Sequence, residues 1–285
     1  MRYNSVNIME RRLSDRKGDG MNIIEVDSLT KIYRVHQKRA GLRGSIHGLF
    51  KRKYVTVEAV NGISFQVEAG ERVGLIGRNG AGKTTTMKML SGLLYPDSGK
   101  AQVMGYTPWE RKRGYLTQIA LLMGQKGQLL WDIPAYDSFK LNKEIYFLKE
   151  EQFQKTLKEL AEILEVEHLL HIPVRNLSLG ERMKMEIIAA MLHAPQILFL
   201  DEPTIGLDIT TQKSLRRFLL EQNRKRGTTM LLTSHYMGDI VSLCSRIILI
   251  EQGSILFDGG IEEIRSIDED QPIEDIIEKM CMREK

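Results

Sequence analysis

A chain of 285 residues that is 42% hydrophobic and 27% charged has the composition of an ordinary globular protein, which excludes disorder and fibrous architecture. Its longest apolar stretches, near 187–192, 197–200 and 247–250, fall far short of the roughly 20 residues a membrane-spanning helix needs. The net charge of +4 is local: residues 34–54 carry seven basic side chains and no acid, leaving the rest of the chain at −3, so a chain-wide nucleic-acid footprint is not expected.

Residues 1–20 read as a basic tail without the apolar core of a secretory signal, and Cys244 and Cys281 are too few for a disulfide framework, so a reducing cytoplasm is expected. From 22 onward, short β-branched runs alternate with helical patterns, the signature of an α/β fold with a mostly parallel sheet. Strands are predicted at 23–26, 63–67, 73–76, 101–104, 119–123, 197–200, 229–233, 247–250 and 254–257. The run 36–54 is a basic insert in which Leu42, Ile46, Leu49 and Phe50 share one helical face flanked by Arg43 and 51–53. Such a segment suits anionic headgroups, a membrane partner, or packing on its own domain. No strand pattern appears between 133 and 172. Instead Phe153, Leu157, Leu160, Ala161 and Leu164 recur at helical spacing, so 126–176 is predicted to be an all-helical insertion. The main domain is expected to span 21–260. An acidic tail follows at 261–285, where Ile273, Ile276, Ile277 and Met280 predict one short amphipathic helix.

The run GRNGAGKTT at 77–85 fits G-x-x-x-x-G-K-[ST] and lies between the strand 73–76 and a helical stretch at 84–93, the order a phosphate-binding loop requires. Gly80 and Gly82 let successive N–H groups turn into one concavity, the helix start adds its positive dipole end, Lys83 reaches the outer phosphates, and Thr84 offers a hydroxyl to Mg2+. The candidate phosphate-contacting residues are Gly77, Arg78, Asn79, Gly80, Ala81, Gly82, Lys83, Thr84 and Thr85. Farther on, ILFLDEP at 197–203 is an apolar strand ending in two acids. Asp201 is expected to hold Mg2+ through water, and Glu202 to orient and polarise the attacking water.

Together with LSLGE at 177–181, GLD at 206–208 and TSH ending a strand at His235, these motifs resemble, in their order, the ATP-binding subunits of ABC transporters. The resemblance covers most of 22–260 and implies a P-loop NTPase core of ABC type with a helical insertion and a peripheral β region. It also implies a Mg2+-dependent ATPase that forms a head-to-tail dimer, with itself or a similar subunit, around two ATP molecules. Ser178 and Gly180 would contact the γ-phosphate of the ATP held by the other subunit, although the usual LSGGQ is altered here at Leu179 and Glu181. His235 would contact the γ-phosphate, and Asp208 would couple the two sites. Of Gln118, Gln125 and Gln128, Gln125 follows the strand 119–123 directly and is preferred as the glutamine that meets the metal and opens the helical insertion. Tyr33 stands where the family stacks adenine, with Tyr54 as competitor. Because the chain has no spanning segment, the resemblance implies a separate membrane permease and a place at the cytoplasmic face of the membrane. The loop order and the insert are similar to exporter subunits. The rival reading is a soluble ABC-type ATPase acting on nucleic acid or ribosomes through 34–54. The span from Lys83 to Ser178 is too short for a chromosome-type coiled coil, and the chain has one ATPase unit, not two, so a nucleic-acid partner is not expected.

Overall fold

The computed structural model describes residues 21–36, 54–124, 127–268 and 271–282. Strands β1 (Asn22–His36), β2 (Tyr54–Glu68) and β3 (Arg72–Ile76) lead into helix α1 (Lys83–Leu90). Next come β4 (Ser98–Val103), the single turn α2 (Arg113–Leu116) and β5 (Ile119–Met123), then the helical insertion α3 (Ala135–Ile145) and α4 (Glu150–Ile163). The chain continues through α5 (Leu179–Met191), β6 (Ile197–Asp201), α6 (Ile209–Arg226) and β7 (Thr229–Thr233). It ends with α7 (Met237–Leu243), β8 (Arg246–Glu251), β9 (Ser254–Gly260), α8 (Ile261–Arg265) and α9 (Ile273–Met282).

The larger sheet has the order β5-β6-β7-β3-β8-β9, parallel except for the β8–β9 hairpin. Its inner strands are apolar on both sides because both faces are covered. Alternation divides them between two cores. Leu198, Leu200, Met230, Leu232, Ile247 and Leu249 face the insertion and the later helices, whereas Ile197, Phe199, Leu231, Ile248 and Ile250 face α1 and the smaller sheet. That smaller sheet, β2-β1-β4, is antiparallel, and β1 and β2 form a long ribbon whose last described pair is His36↔Tyr54. The basic insert expected at 36–54 therefore joins the far end of this ribbon; residues 37–53 lie outside the described set, as does the tail 1–20.

In α4, Phe153, Leu157, Leu160 and Ala161 are buried as their spacing predicts, and Leu164, which caps the helix, is buried with them. Each of these Phe or Leu side chains contributes about 1.5–3 kcal/mol of burial. Two differences concern element ends. The helix after the phosphate loop closes at Leu90, because Gly92 at φ 75 cannot continue it, and not at 93. Beyond 260 the expected helix is α9, which buries Ile273, Ile276 and Ile277 in the core shared with the insertion, and among the described residues it is preceded by a further short helix, α8, which buries Ile261 and Ile264.

Candidate functional site

The carboxyl ends of β5, β6, β7 and β3 lie side by side at one edge of the sheet, where open parallel sheets collect ligands. The loop after β3 needs glycine for two physical reasons. At Gly77 (φ 145) a Cβ would come 1.9 Å from the Ile250 carbonyl oxygen, and at Gly82 (φ 113) it would come 2.3 Å from that of Ala59, so backbone occupies the space of any side chain. Gly80 has open space around it, and its φ of 83 alone favours glycine. Arg78, Asn79 and Gly80 are exposed on the loop, Ala81 is buried, and Thr84 and Thr85 are half-buried in the first turn of α1. Lys83 is buried, with Nζ donating to the carbonyls of Gly77 (2.7 Å) and Arg78 (3.1 Å). Burial lowers its pKa, and Glu202, Asp201 and Glu251 partly restore it.

The Thr84 hydroxyl donates to Asp201 Oδ1 at 2.9 Å, joining the loop to the end of β6. The Thr233 hydroxyl donates to the same oxygen at 2.7 Å and accepts the Glu202 N–H at 3.2 Å. Thr84 and Asp201 are thus paired hard oxygen donors, the kind Mg2+ takes, and they fit the ion. Glu202 holds φ 55, an uncommon and costly conformation for a side chain of its size. Its carboxylate accepts the His235 N–H at 3.0 Å and meets His235 Nε2 at 3.3 Å. Thr84, Asp201, Thr233, Glu202 and His235 are therefore linked at one strand edge, and the Lys83 ammonium feels the charge of both acids.

Behind the two catalytic candidates is a residue with no local sequence signal. Asp239, fully buried in α7, accepts from Thr204, from Ser234 (2.8 Å) and from Arg216 Nε (2.7 Å). Thr204 follows Glu202 by two positions and Ser234 precedes His235, so one carboxylate ties both loops together. Thr233 was equally unmarked, its only hint being a hydroxyl at the end of the strand that leads to His235.

Ser178 caps α5 and forms a reciprocal capping box with Glu181. The signature turn packs on the start of α6: Asp208 caps that helix through the Thr211 N–H (2.9 Å), and a Cβ on Gly180 would lie 3.3 Å from Thr211 Oγ1. The Thr211 hydroxyl and N–H hold the Asp208 carboxyl below the usual carboxylate range. Gln125 lies outside the described residues. Its neighbour Gly124 donates its N–H to the Asp201 carbonyl at 2.9 Å, while the competing glutamines are engaged elsewhere, Gln118 Nε2 with the Gly114 carbonyl (2.5 Å) and Gln128 Nε2 with that of Leu121 (2.7 Å). Tyr33 is half-buried on β1 opposite Val57, two residues along β2 from the Ala59 carbonyl that abuts Gly82. Tyr54 pairs with His36 at the far end of the ribbon.

The ABC transporter family model matches residues 60–205. The chain is 32% identical over 215 residues to the ABC transporter ATP-binding protein NatA of Bacillus subtilis, covering 75% of this chain and 87% of that protein. It is 35% identical over 204 residues to the Nod factor export ATP-binding protein I of Burkholderia lata, covering 70% and 66%. Its fold matches a solved ATP-binding cassette, a dimer in a post-hydrolysis state bound to ADP and Pi, with TM-score 0.69 and 20% identity over 83% of this chain and 98% of that one. The chain thus belongs to the ABC transporter family, of which it is an ATP-binding ATPase subunit.

Proposed function

We propose that this subunit hydrolyses ATP in a head-to-tail dimer and powers export through a separate membrane permease at the cytoplasmic face of the membrane. The observation that carries the reading is the chain of contacts from Thr84 through Asp201 and Thr233 to Glu202 and His235, with the Lys83 ammonium held on the loop carbonyls beside it. In this reading the N–H groups of 80–85 and the Lys83 ammonium bind the β- and γ-phosphates of ATP, and Tyr33 stacks on adenine. Mg2+, held by Thr84, Asp201 and Gln125, would neutralise charge on the phosphate oxygens. Glu202 orients a water in line with the γ-phosphorus and withdraws its proton, while His235 fixes the carboxylate and reaches the same phosphate. Ser178 and Gly180 of a second subunit, a copy of this chain or a similar one, complete the site, and Asp208 joins the two halves. The dimer state of the matched cassette and the export named for the Burkholderia relative support the assembly and the direction.

The docking surface for the permease is a groove of about 650 Å³ between the core and the insertion, lined by Arg111 and Arg113, by Leu121 and Met123 of β5, and by Ile145 and Tyr146 at the end of α3. No helix among the described residues is long and apolar enough to cross a membrane, which supports a separate spanning partner. A tagged chain purified from detergent-solubilised membranes is expected to bring with it an integral membrane protein, and Ile145→Glu to lose it. Recovery of ribosomes or DNA instead would favour the nucleic-acid reading.

A further inference from the structure

The signature turn is already bound to an anion, and the anion belongs to this chain. Glu181 Oε2 accepts both donors of Ser178, the N–H at 2.8 Å and the hydroxyl at 2.7 Å, while Ser178 Oγ accepts the Glu181 N–H at 3.3 Å. These donors, with the first N–H groups of α5, are what a phosphate arriving from a second subunit would need. A second carboxylate is close by: Asp208 Oδ2 lies 3.7 Å from where a Cβ on Gly180 would project. The bonds from Ser178 hold the Glu181 carboxyl below the usual carboxylate range, with smaller help from His168 and Lys184, so it is ionised at neutral pH. Arg182, the nearest guanidinium in sequence, is turned over the Trp131 ring at 5.4 Å.

Glutamine, which ABC subunits usually carry at this position, could hold the same cap with its amide oxygen. It would differ in two ways. Its hydrogen bonds from Ser178 are neutral, hence about half as strong as charge-assisted ones, and its N–H2 group is a donor that phosphate can use. Glutamate offers only acceptors and a negative charge.

We propose that Glu181 is a self-docked anion that competes with the partner's ATP for Ser178, so that closure of the dimer requires this carboxylate to be displaced and the ATP concentration at which closure occurs is set high. Glu181 is thus a regulatory residue of the composite site rather than a catalytic one. The inference rests on the reading that Ser178 acts across the dimer.

The test uses the full chain carrying Glu202→Gln, which arrests hydrolysis, and measures the ATP concentration for half-maximal dimerisation by sedimentation. Adding Glu181→Gln is expected to lower that concentration by about fivefold to tenfold, the weight of about 1–1.4 kcal/mol. Glu181→Ala, which keeps Ser178 as the cap of the residue 181 N–H, is expected to shift it in the same direction, and it decides the matter if melting without nucleotide shows Glu181→Gln to be destabilised. An unchanged or higher ATP requirement in the folded variants overturns the proposal. Ser178→Arg separates the two readings. If it abolishes dimerisation while the Glu181 variants change nothing, only the self-docking is wrong; if it dimerises like its parent, the action of Ser178 across the dimer falls, and self-docking with it.

Discussion

At the scale of single residues, the site depends on oxygens that hold other oxygens in place. Thr233 has no expected contact with ATP, yet its hydroxyl fixes Asp201 Oδ1 and receives the N–H of the strained Glu202. Thr233→Val keeps the shape and removes both bonds, leaving the Glu202 N–H only its bond to the Thr233 carbonyl at 3.1 Å. Turnover is expected to fall about tenfold, the equivalent of about 1.4 kcal/mol of lost positioning, with a smaller change in ATP affinity. Steady-state kinetics beside a nucleotide titration checks this; wild-type turnover would show that Thr233 does not position the acids. The residues proposed to touch phosphate were legible in the sequence because the loop compresses its chemistry into nine adjacent positions, 77–85. Asp239 was not, because its partners Thr204 and Arg216 are 35 and 23 residues away and nothing local marks a carboxylate that will be buried among them.

At the scale of elements, α5 carries more than the signature turn. Glu186, buried on this helix, accepts the N–H of Gln128 at 2.8 Å and of Leu129 at 3.3 Å, and so anchors the segment that follows Gln125. Burial raises its pKa, partly offset by the two N–H groups and by Arg182. A carboxyl whose folded pKa is raised stabilises the fold most below its unfolded pKa and loses that contribution as pH rises through the folded value. Glu186→Gln does not titrate, so its stability is expected to fall less than that of the parent as pH rises above the ordinary carboxylate value of 4.5. Denaturant unfolding at several pH values measures this, and identical slopes would contradict it. Two other elements show what periodicity can and cannot reveal. Burial of Phe153, Leu157 and Leu160 on α4 followed from spacing alone, whereas β1 beyond Val26 went unmarked because D-S-L-T-K-I-Y mixes charge with apolar residues on a ribbon that pairs across the insert.

At the scale of the whole molecule, the proposed function makes the site one half of a composite. The phosphate loop, acids and His235 gather at the ends of β3, β6 and β7, while the signature turn sits at the start of α5 and packs on the cap of α6. Joining a second subunit would bring the two halves together on ATP, and only a water-activating carboxylate would then release them. Glu202→Gln keeps the side chain's shape and its contact with His235 but removes the charge that polarises water. The most direct measurement is therefore the mass of purified Glu202→Gln protein by sedimentation, with and without ATP and Mg2+, beside its rate of ATP hydrolysis. The predicted result is a stable dimer that forms only with ATP, together with loss of nearly all turnover. A monomer under both conditions, or a variant that hydrolyses ATP as fast as the parent, would contradict the assignment of Glu202 and the composite site.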